Sequence, residues 1–396
     1  WYSDEKEFEA LETVSKLKEI IEKKEKIRNR ILFVVCLMSP RVIKIAHALQ
    51  NNGYEVCIIS CTDKQTEDIR YRHFFKQYNC YKCECFEELI YRIIVCRAEI
   101  IHIFSEYDKM STSIAYNLIL CKEIFSPVVF EQYDIANGMY YDMSRDILEK
   151  EQYCLENASG VCCRGNEIDY LINEKNFNIK GKVIKFFDYI GDEVFAGKDQ
   201  GELSLCYAGG ITTEKEWPDA SFACWIELAN ICEKNKCHLH VYPDLWNEES
   251  FIDYIQMENE NSYFHFHKPV SYCELTKELS LYDYGIVPTK KGFFDKKDNG
   301  GLSHQKMIYA ATNKIYDDLA AGLPIIFSYP TLSVKYFESK GVALNWTIEE
   351  IDFEQLRKRK RELKKRVKDI RKKWQMKHKI IELIRFYDEL NIRGQE

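Results

Sequence analysis

Two adjacent carboxylates, Asp317 and Asp318, fall within Asn313 to Ile326, which reads NKIYDDLAAGLPII. Ile315, Leu319 and Ala320 recur at helical spacing, Ala321 and Gly322 end the helix, and Pro324 opens an apolar run to Phe327 short enough for a parallel core strand. Both acids therefore belong to the body of a helix. From there a carboxylate can face a crevice and accept two hydrogen bonds from a ribose diol, as acidic residues do in dinucleotide-binding folds; two solvated helix acids are the plainer alternative. Neighbouring helix residues diverge by about 100°, so the pair makes a poor joint metal site. Phosphate chemistry has its own candidate upstream. The apolar run Leu203 to Ala208 ends in Gly209-Gly210, and Lys215 follows Thr212-Thr213-Glu214. Such a turn lets bare backbone N–H groups approach a phosphate at the carboxyl edge of a sheet, and Lys215 adds a point charge.

Residues of this kind need a scaffold that gathers strand ends and helix starts at one edge. Ile31 to Leu37 is continuously apolar, Ser39-Pro40 breaks it, Arg41 to Gln50 is amphipathic and stops at Gly53, and Glu55 to Ser60 is strand-like again. Glu99 to Phe104 and Pro127 to Phe130 read as buried strands with a helix, Ser111 to Cys121, between them; Val183 to Phe187 closes a first half. A second series follows. It predicts strands over Leu203 to Ala208, His238 to Tyr242, Tyr263 to Phe266 and Tyr284 to Val287, with helices through Ala220 to Cys232, near Glu249 and over Ser271 to Leu279. Alternation of this kind predicts α/β halves with parallel sheets, and 396 residues suit two domains. The expected division is a charged helix or linker over 1–29, with Phe8, Leu11, Val14, Leu17 and Ile21 on one side, then domains over 30–190 and 191–350, then a basic amphipathic segment over 351–396.

Asn313 to Ile326 resembles the donor-binding helix of GT-B glycosyltransferases, whose common form is Asn-Lys-x-Phe-Glu-Tyr-Leu-Ala-Ala-Gly-x-Pro-Val-Ile. The resemblance puts Asp317 on the family's ribose-binding Glu and Lys314 on its Lys. Ser39, Arg41, Val42, Lys44, Ala46, Leu49, Gly53 and Val56 match the superfamily's opening pattern, in which the first loop lines the acceptor side of the cleft. The block CYAGGI, Cys206 to Ile211, resembles the first strand and loop of the donor domain. There the resemblance implies that Gly209 and Gly210 meet the donor diphosphate together with an Arg or Lys, for which Lys215 is the nearest candidate.

The chain also departs from the family. Its commonest retaining branch carries an upstream glutamate that would fall at Tyr309. Between Pro288 and Gln305 lies the polar stretch TKKGFFDKKDNGGLSH, with Lys290, Lys291, Gly300, Gly301, Ser303 and His304, which reads equally as a phosphate-contacting loop or a surface loop. Family branches often place a His after the strand Pro127 to Phe130, where Tyr133 stands here; His102, inside an apolar strand, reads as a core or rim residue. Glu131 and Asp134 sit where that strand ends toward the expected cleft, and either can orient an acceptor hydroxyl or act as its base.

The cysteines, 16 in all, are scattered through predicted strands and helices and suit buried small hydrophobes in a reducing cytosol. Cys80, Cys83 and Cys85, with His73 as a fourth candidate, fit no standard zinc spacing, and Cys162-Cys163 read as the end of a strand. No apolar run approaches the roughly 20 residues needed to cross a bilayer. A net charge of −7 hides a basic segment: Arg357 to Lys379 carries 14 Lys or Arg against Glu362 and Asp369, a local +12 that leaves −19 elsewhere. Leu356, Leu363, Val367, Ile370, Trp374 and Ile381 form one helical stripe through it, expected to dock on the protein body. The opposite basic face is a solvated face or a contact with anionic lipid or a phosphorylated acceptor.

What the resemblance implies is a GT-B architecture: two Rossmann-like domains facing across a cleft, with a C-terminal helix closing back on the body. The implied activity is metal-independent, retaining transfer of a sugar from a UDP- or GDP-sugar, used as co-substrate, to a glycan, lipid-linked or protein acceptor. No further cofactor, no metal and no nucleic-acid partner is expected. The expected location is cytoplasmic, with 357–379 as a peripheral contact at the inner membrane face. A noncatalytic subunit of the same fold, and a nucleotide-sugar epimerase, remain alternative readings.

Overall fold

The continuous apolar runs form central strands. In the computed structural model, residues 26–36, 38–61, 78, 80–83, 85–106, 108–122, 127–140, 142–195, 201–211, 224–244, 246–291, 303–327 and 331–393 are described. The expected helix before Arg28 and the candidate ligand His73 lie outside them. By contact the chain divides into two compact units, residues 1–187 with 379–396, and residues 188–378.

In the first unit the order is β1 (Arg30–Val35), α1 (Pro40–Asn51), β2 (Glu55–Ser60), β3 (Cys80–Lys82), α2 (Phe86–Cys96), β4 (Ile100–Ser105), α3 (Lys109–Leu120), β5 (Val128–Gln132), α4 (Arg145–Asn157), β6 (Gly160–Cys163), α5 (Glu167–Asn173) and β7 (Lys182–Lys185). The strands form one parallel sheet of seven in the order β3-β2-β1-β4-β5-β6-β7. Parallel neighbours cannot be joined by hairpins, so helices cross over and bury both faces. Ile31 to Val35 accordingly show at most 1% exposure. Helix α1 starts where Pro40 stands at N1, a position that needs no N–H donor.

The second unit follows the same plan: β8 (Leu203–Gly209), α6 (Trp225–Lys234), β9 (Cys237–Pro243), α7 (Ile252–Glu260), β10 (Phe264–Phe266), α8 (Tyr272–Leu279), β11 (Tyr284–Val287), α9 (His304–Tyr309), α10 (Lys314–Ala321), β12 (Ile325–Phe327), α11 (Leu332–Ser339), β13 (Ala343–Leu344), α12 (Phe353–Arg371) and α13 (Met376–Arg393), the last of which passes into the first unit. Its six strands are parallel in the order β10-β9-β8-β11-β12-β13. Both sheets therefore reverse direction after their third strand, the doubly wound order of dinucleotide-binding folds. The expected α/β reading with parallel sheets stands in both halves.

Two details correct the sequence reading. Part of the polar stretch before Gln305 is helical, because Ser303 caps α9 by accepting from the Lys306 N–H at 3.2 Å. The basic C-terminal segment, expected as a helix or helices carrying one stripe, is two helices whose stripe is interrupted by a 3₁₀ turn over Lys372–Trp374. That tighter turn resets the helical phase. Leu356, Leu363 and Val367 are buried as expected, but Ile381 is exposed, and the core stripe of α13 is Ile380, Leu383, Phe386, Tyr387 and Leu390. Much of the basic charge on α12 is used internally: Lys360 and Lys364 reach the buried Asp283 at 3.3 and 2.9 Å. No helix among the described residues is long and apolar enough to cross a membrane.

One buried ion pair ties the first sheet to its helices. The Arg41 guanidinium, in the first turn of α1, donates to both oxygens of Glu131 on β5 at 2.6 and 3.0 Å. His102 on β4 places Nε2 at 3.4 Å from the same carboxylate and Nδ1 at 2.6 Å from the hydroxyl of Tyr387 on α13. Burial pushes the Glu131 carboxyl up, but the adjoining Arg41 charge and the Arg41 and His102 hydrogen bonds outweigh it and hold it at about 2. Burial keeps the His102 ring below its usual range, so a neutral imidazole can accept at Nδ1 from the Tyr387 hydroxyl and turn Nε2–H toward Glu131. Helix α13 needs a bare backbone opposite it: a Cβ at Gly160 would lie 2.6 Å from Phe386 Cζ. Because Glu131 is depressed from 4.5 to about 2, its contribution is complete above pH 4.5 and is lost as the pH falls toward 2. Arg41→Ala, which strands the carboxylate, is expected to destabilise the protein by about 3–5 kcal/mol at neutral pH. Urea unfolding across that acid window checks both, with the wild type losing stability there and the variant losing less.

Candidate functional site

In a doubly wound sheet, ligands bind beyond the carboxyl ends of the strands where the order reverses. In the second unit that place is the end of β8 beside β11. Strand β8 leaves the sheet through Gly209 at φ +143°, a conformation that L side chains rarely adopt. A Cβ there would stand 2.7 Å from Lys314 Cε, so the glycine also makes room for the Lys314 stem to lie over the strand end. The Lys314 ammonium sits 5.4 Å from the centre of the Tyr207 ring, and the Tyr207 hydroxyl donates to the Gly210 carbonyl at 2.6 Å. The glycine turn and the start of α10 are thereby held together.

Helix α10 splits its two acids as the helical angle requires. Asp317 is half-buried and accepts from the Tyr272 hydroxyl at 3.4 Å. Asp318 points into the sheet. Gly285 on β11 admits it only by lacking a side chain, since a Cβ there would stand 2.3 Å from the carboxyl carbon. Burial, with the neighbouring Asp317 charge adding and Lys314 opposing, pushes the Asp318 carboxyl well above the usual aspartate range. Gly322, at φ +84°, ends the helix in the left-handed conformation. Tyr207, Ala208, Leu275, Ile286, Lys314 and Asp317 surround a recess at this edge. It combines an apolar wall, a carboxylate, an ammonium and the first N–H groups of a helix, a set suited to a ribose and phosphates.

Of the expected donor-side residues, the structure brings Gly209, Gly210, Lys314 and Asp317 together, and Lys215 lies outside the described residues, as do Gly300 and Gly301. Lys290 pairs with Glu227 at 2.8 Å, and the Lys291 N–H donates to both Glu349 oxygens at 3.1 Å. Sequence reasoning missed Tyr207 and Tyr272. Tyr207 was legible as the aromatic that precedes the glycine turn within the quoted block; Tyr272 had no signal, since it reaches Asp317 from another helix.

In the first unit Glu131 and Asp134 separate. Glu131 is 1% exposed and is engaged by Arg41. Asp134, beyond the end of β5, is reached by Arg164 Nη2 at 2.8 Å and by the Tyr140 hydroxyl at 3.3 Å. Arg164 also lies 4.0 Å over the Tyr133 ring. Tyr133, Asp134 and Arg164 thus form a polar group beside a small recess that Gln132 and Cys163 also line. Arg164 follows β6 directly, a strand-end position that sequence reasoning passed over. Cys83 is buried and Cys85 exposed.

No family model and no curated protein sequence matches the chain. Solved structures do. A glycosyltransferase from Rickettsia africae ESF-5 superposes with a TM-score of 0.60 at 12% identity, over 93% of this chain and 99% of that one. The E. coli trehalose-6-phosphate protein bound with UDP-2-fluoro glucose gives 0.56 at 9% identity, over 91% and 99%. S. aureus MnaA, in a co-structure with UDP, gives 0.55 at 8% identity, over 91% and 97%. The chain has the GT-B fold. Within that fold the edge bearing Gly209, Lys314 and Asp317 belongs to the second Rossmann-like unit, and the edge bearing Asp134 and Arg164 to the first.

The buried Asp318 gives the site a measurable signature. An aspartate raised well above its ordinary 3.8 favours the protonated folded state, so its burial penalty is absent below pH 3.8 and grows as the pH rises toward the folded value. Asp318→Asn is therefore expected to raise the melting temperature at pH 7, with the gain shrinking on acidification toward pH 4. Calorimetric melting at both pH values checks this; an equal shift at the two would show that Asp318 is ionised at neutral pH.

Proposed function

We propose that this GT-B chain is a glycosyltransferase that moves a sugar from a nucleoside diphosphate donor, UDP- or GDP-linked, to a glycan, lipid-linked or protein acceptor. The observation that carries the reading is the gathering of Tyr207, Gly209, Lys314 and Asp317 at the reversal point of the second sheet. In this reading the Asp317 carboxylate accepts from the ribose hydroxyls, and Lys314, the Gly209-Gly210 turn and the first N–H groups of α10 face the diphosphate. Transfer breaks the bond between the anomeric carbon and the phosphate oxygen and forms one to the acceptor oxygen. Negative charge then builds on the departing diphosphate, and prearranged donors stabilise it without reorganisation. We assign retention of configuration and transfer that needs no catalytic metal, the mode the family resemblance implies.

On the acceptor side we favour Asp134 over Glu131. A base must reach the proton it takes, and Glu131 has both oxygens committed to Arg41 behind the sheet edge. Asp134 retains 20% side-chain exposure and stands beside Tyr133 and Arg164. We also place the chain in the cytoplasm, touching anionic membrane through Lys358, Arg361, Lys365, Lys368 and Lys372, which are exposed on one segment. The free, mostly buried cysteines support a reducing compartment.

Three experiments test these readings. Calorimetric titration with UDP and GDP should give binding that Asp317→Ala weakens by about 10- to 150-fold, the equivalent of about 1.5–3 kcal/mol for a lost hydrogen bond to a charged group; unchanged affinity removes Asp317 from the site. Product analysis with a panel of sugar nucleotides in the presence of EDTA then separates outcomes. Sugar transfer or hydrolysis supports the proposal, binding without turnover points to a noncatalytic subunit, and an altered sugar in the free nucleotide points to an epimerase. For the membrane contact, co-sedimentation should occur with phosphatidylserine vesicles and not with neutral ones, and should fall as salt rises; equal sedimentation with both overturns it.

A further inference from the structure

Parallel strands with helices on both faces usually carry apolar side chains on both faces. Strands β9 and β10 do so fully on one face only, the other carrying Tyr242 beside a row of imidazoles. Leu239, Val241, Phe264 and Phe266 are buried, while the alternate positions are His238, His240, His265 and, just past β10, His267. His240 and His265 are register partners, so period-two alternation puts all four imidazoles on one side of the sheet edge. The rings stack in a ladder, with centroids 4.3 Å apart for His240 and His265 and 5.1 Å for His238 and His265.

We propose that this face is a divalent transition-metal site, with His238, His240 and His265 as ligands for an ion of the zinc or cobalt type. One ligand nitrogen from each ring falls within 4.8 Å of the others. His238 Nδ1 and His265 Nε2 are 2.9 Å apart, and two imidazoles on a tetrahedral ion stand about 3.4 Å apart. To share the ion, the two rings part by about 0.5 Å and swing off their head-on hydrogen bond. Glu202 supplies the second element of a built site: its carboxylate lies 2.8 Å from His238 Nε2. That contact fixes the proton on Nε2, so Nδ1 accepts from His265 Nε2–H here and is freed as a ligand when a metal displaces that proton, the carboxylate–histidine–metal arrangement that orients ligands elsewhere. His267, with Nε2 at 2.9 Å from His240 Nδ1, steadies the third ring. Burial and the neighbouring rings lower His240 to about 2, in keeping with the neutral form that binds metal. His238 lies near the amino end of β9, and Glu202 just before β8, at the opposite edge of the sheet from Gly209. The site is therefore separate from the nucleotide recess, and its role would be to clamp an edge strand.

The test uses the full chain, stripped with chelator, and Co²⁺ or Zn²⁺ alone. The expected result is one Co²⁺ per chain, visible d–d absorption without thiolate charge-transfer bands, displacement by Zn²⁺ and a raised melting temperature. His238→Ala and His265→Ala should each weaken binding by more than about tenfold, while UDP affinity in the same samples stays unchanged. Glu202→Gln removes no ligand and lies on the surface, so it keeps the test valid if the histidine variants fold poorly; its expected loss is about tenfold. Absence of stoichiometric binding, thiolate bands, or affinity unmoved by Glu202→Gln and by any folded histidine variant overturns the proposal.

Discussion

The constraint on which this molecule depends is that a parallel strand cannot hand its chain to a neighbour without a crossover. The crossovers seen among the described residues are helices laid over the sheet, and the strand order reverses once in each unit. At a reversal, the two flanking helices pass to opposite faces and leave the strand ends between them uncovered. In the second unit that uncovered place is the end of β8, which is where Gly209, Lys314 and Asp317 meet. The site is thus a by-product of topology before it is a product of side chains. Side chains then specialise it, glycine by its absence of bulk and lysine by a stem that fills the space left.

The distribution of buried charge follows from the same arrangement. Glu131 is fully buried yet ionised, because Arg41 arrives with two parallel hydrogen bonds. Asp318 is equally buried but faces Gly285 without such a partner, and its carboxyl is raised. Asp283 takes a third course, with Lys360 and Lys364 brought to it by α12. Three buried acids meet the cost of desolvation differently: by a bidentate pair, by neutralisation and by two ammonium groups from one helix.

Much of the fold was readable from the sequence, since continuous apolar runs and glycine stops mark the strands and crossovers directly. Tyr284 to Val287 has the same bounds in both, and the angular split between Asp317 and Asp318 was foreseeable from helix geometry alone. What escaped was whatever depends on a partner distant in sequence. The Arg41 bond to Glu131 spans 90 residues and the His102 contact with Tyr387 spans 285, and no local pattern announces either. The stripe that ran on to Ile381 failed for a local reason: a 3₁₀ turn is not visible in a hydrophobic period that continues on both sides of it. The histidine ladder was likewise invisible as a cluster, because its members occupy two strands and acquire meaning only through register.

Helix α13 belongs with the first unit although it follows the entire second one in the chain. During synthesis, then, the first sheet leaves the ribosome long before Phe386, Tyr387 and Leu390 arrive to cover Gly160 and reach His102. Domains commonly fold in the order of their emergence. Here the first unit must wait with part of its apolar surface uncovered, so a helix translated after the whole second unit acts as the latch that completes the first.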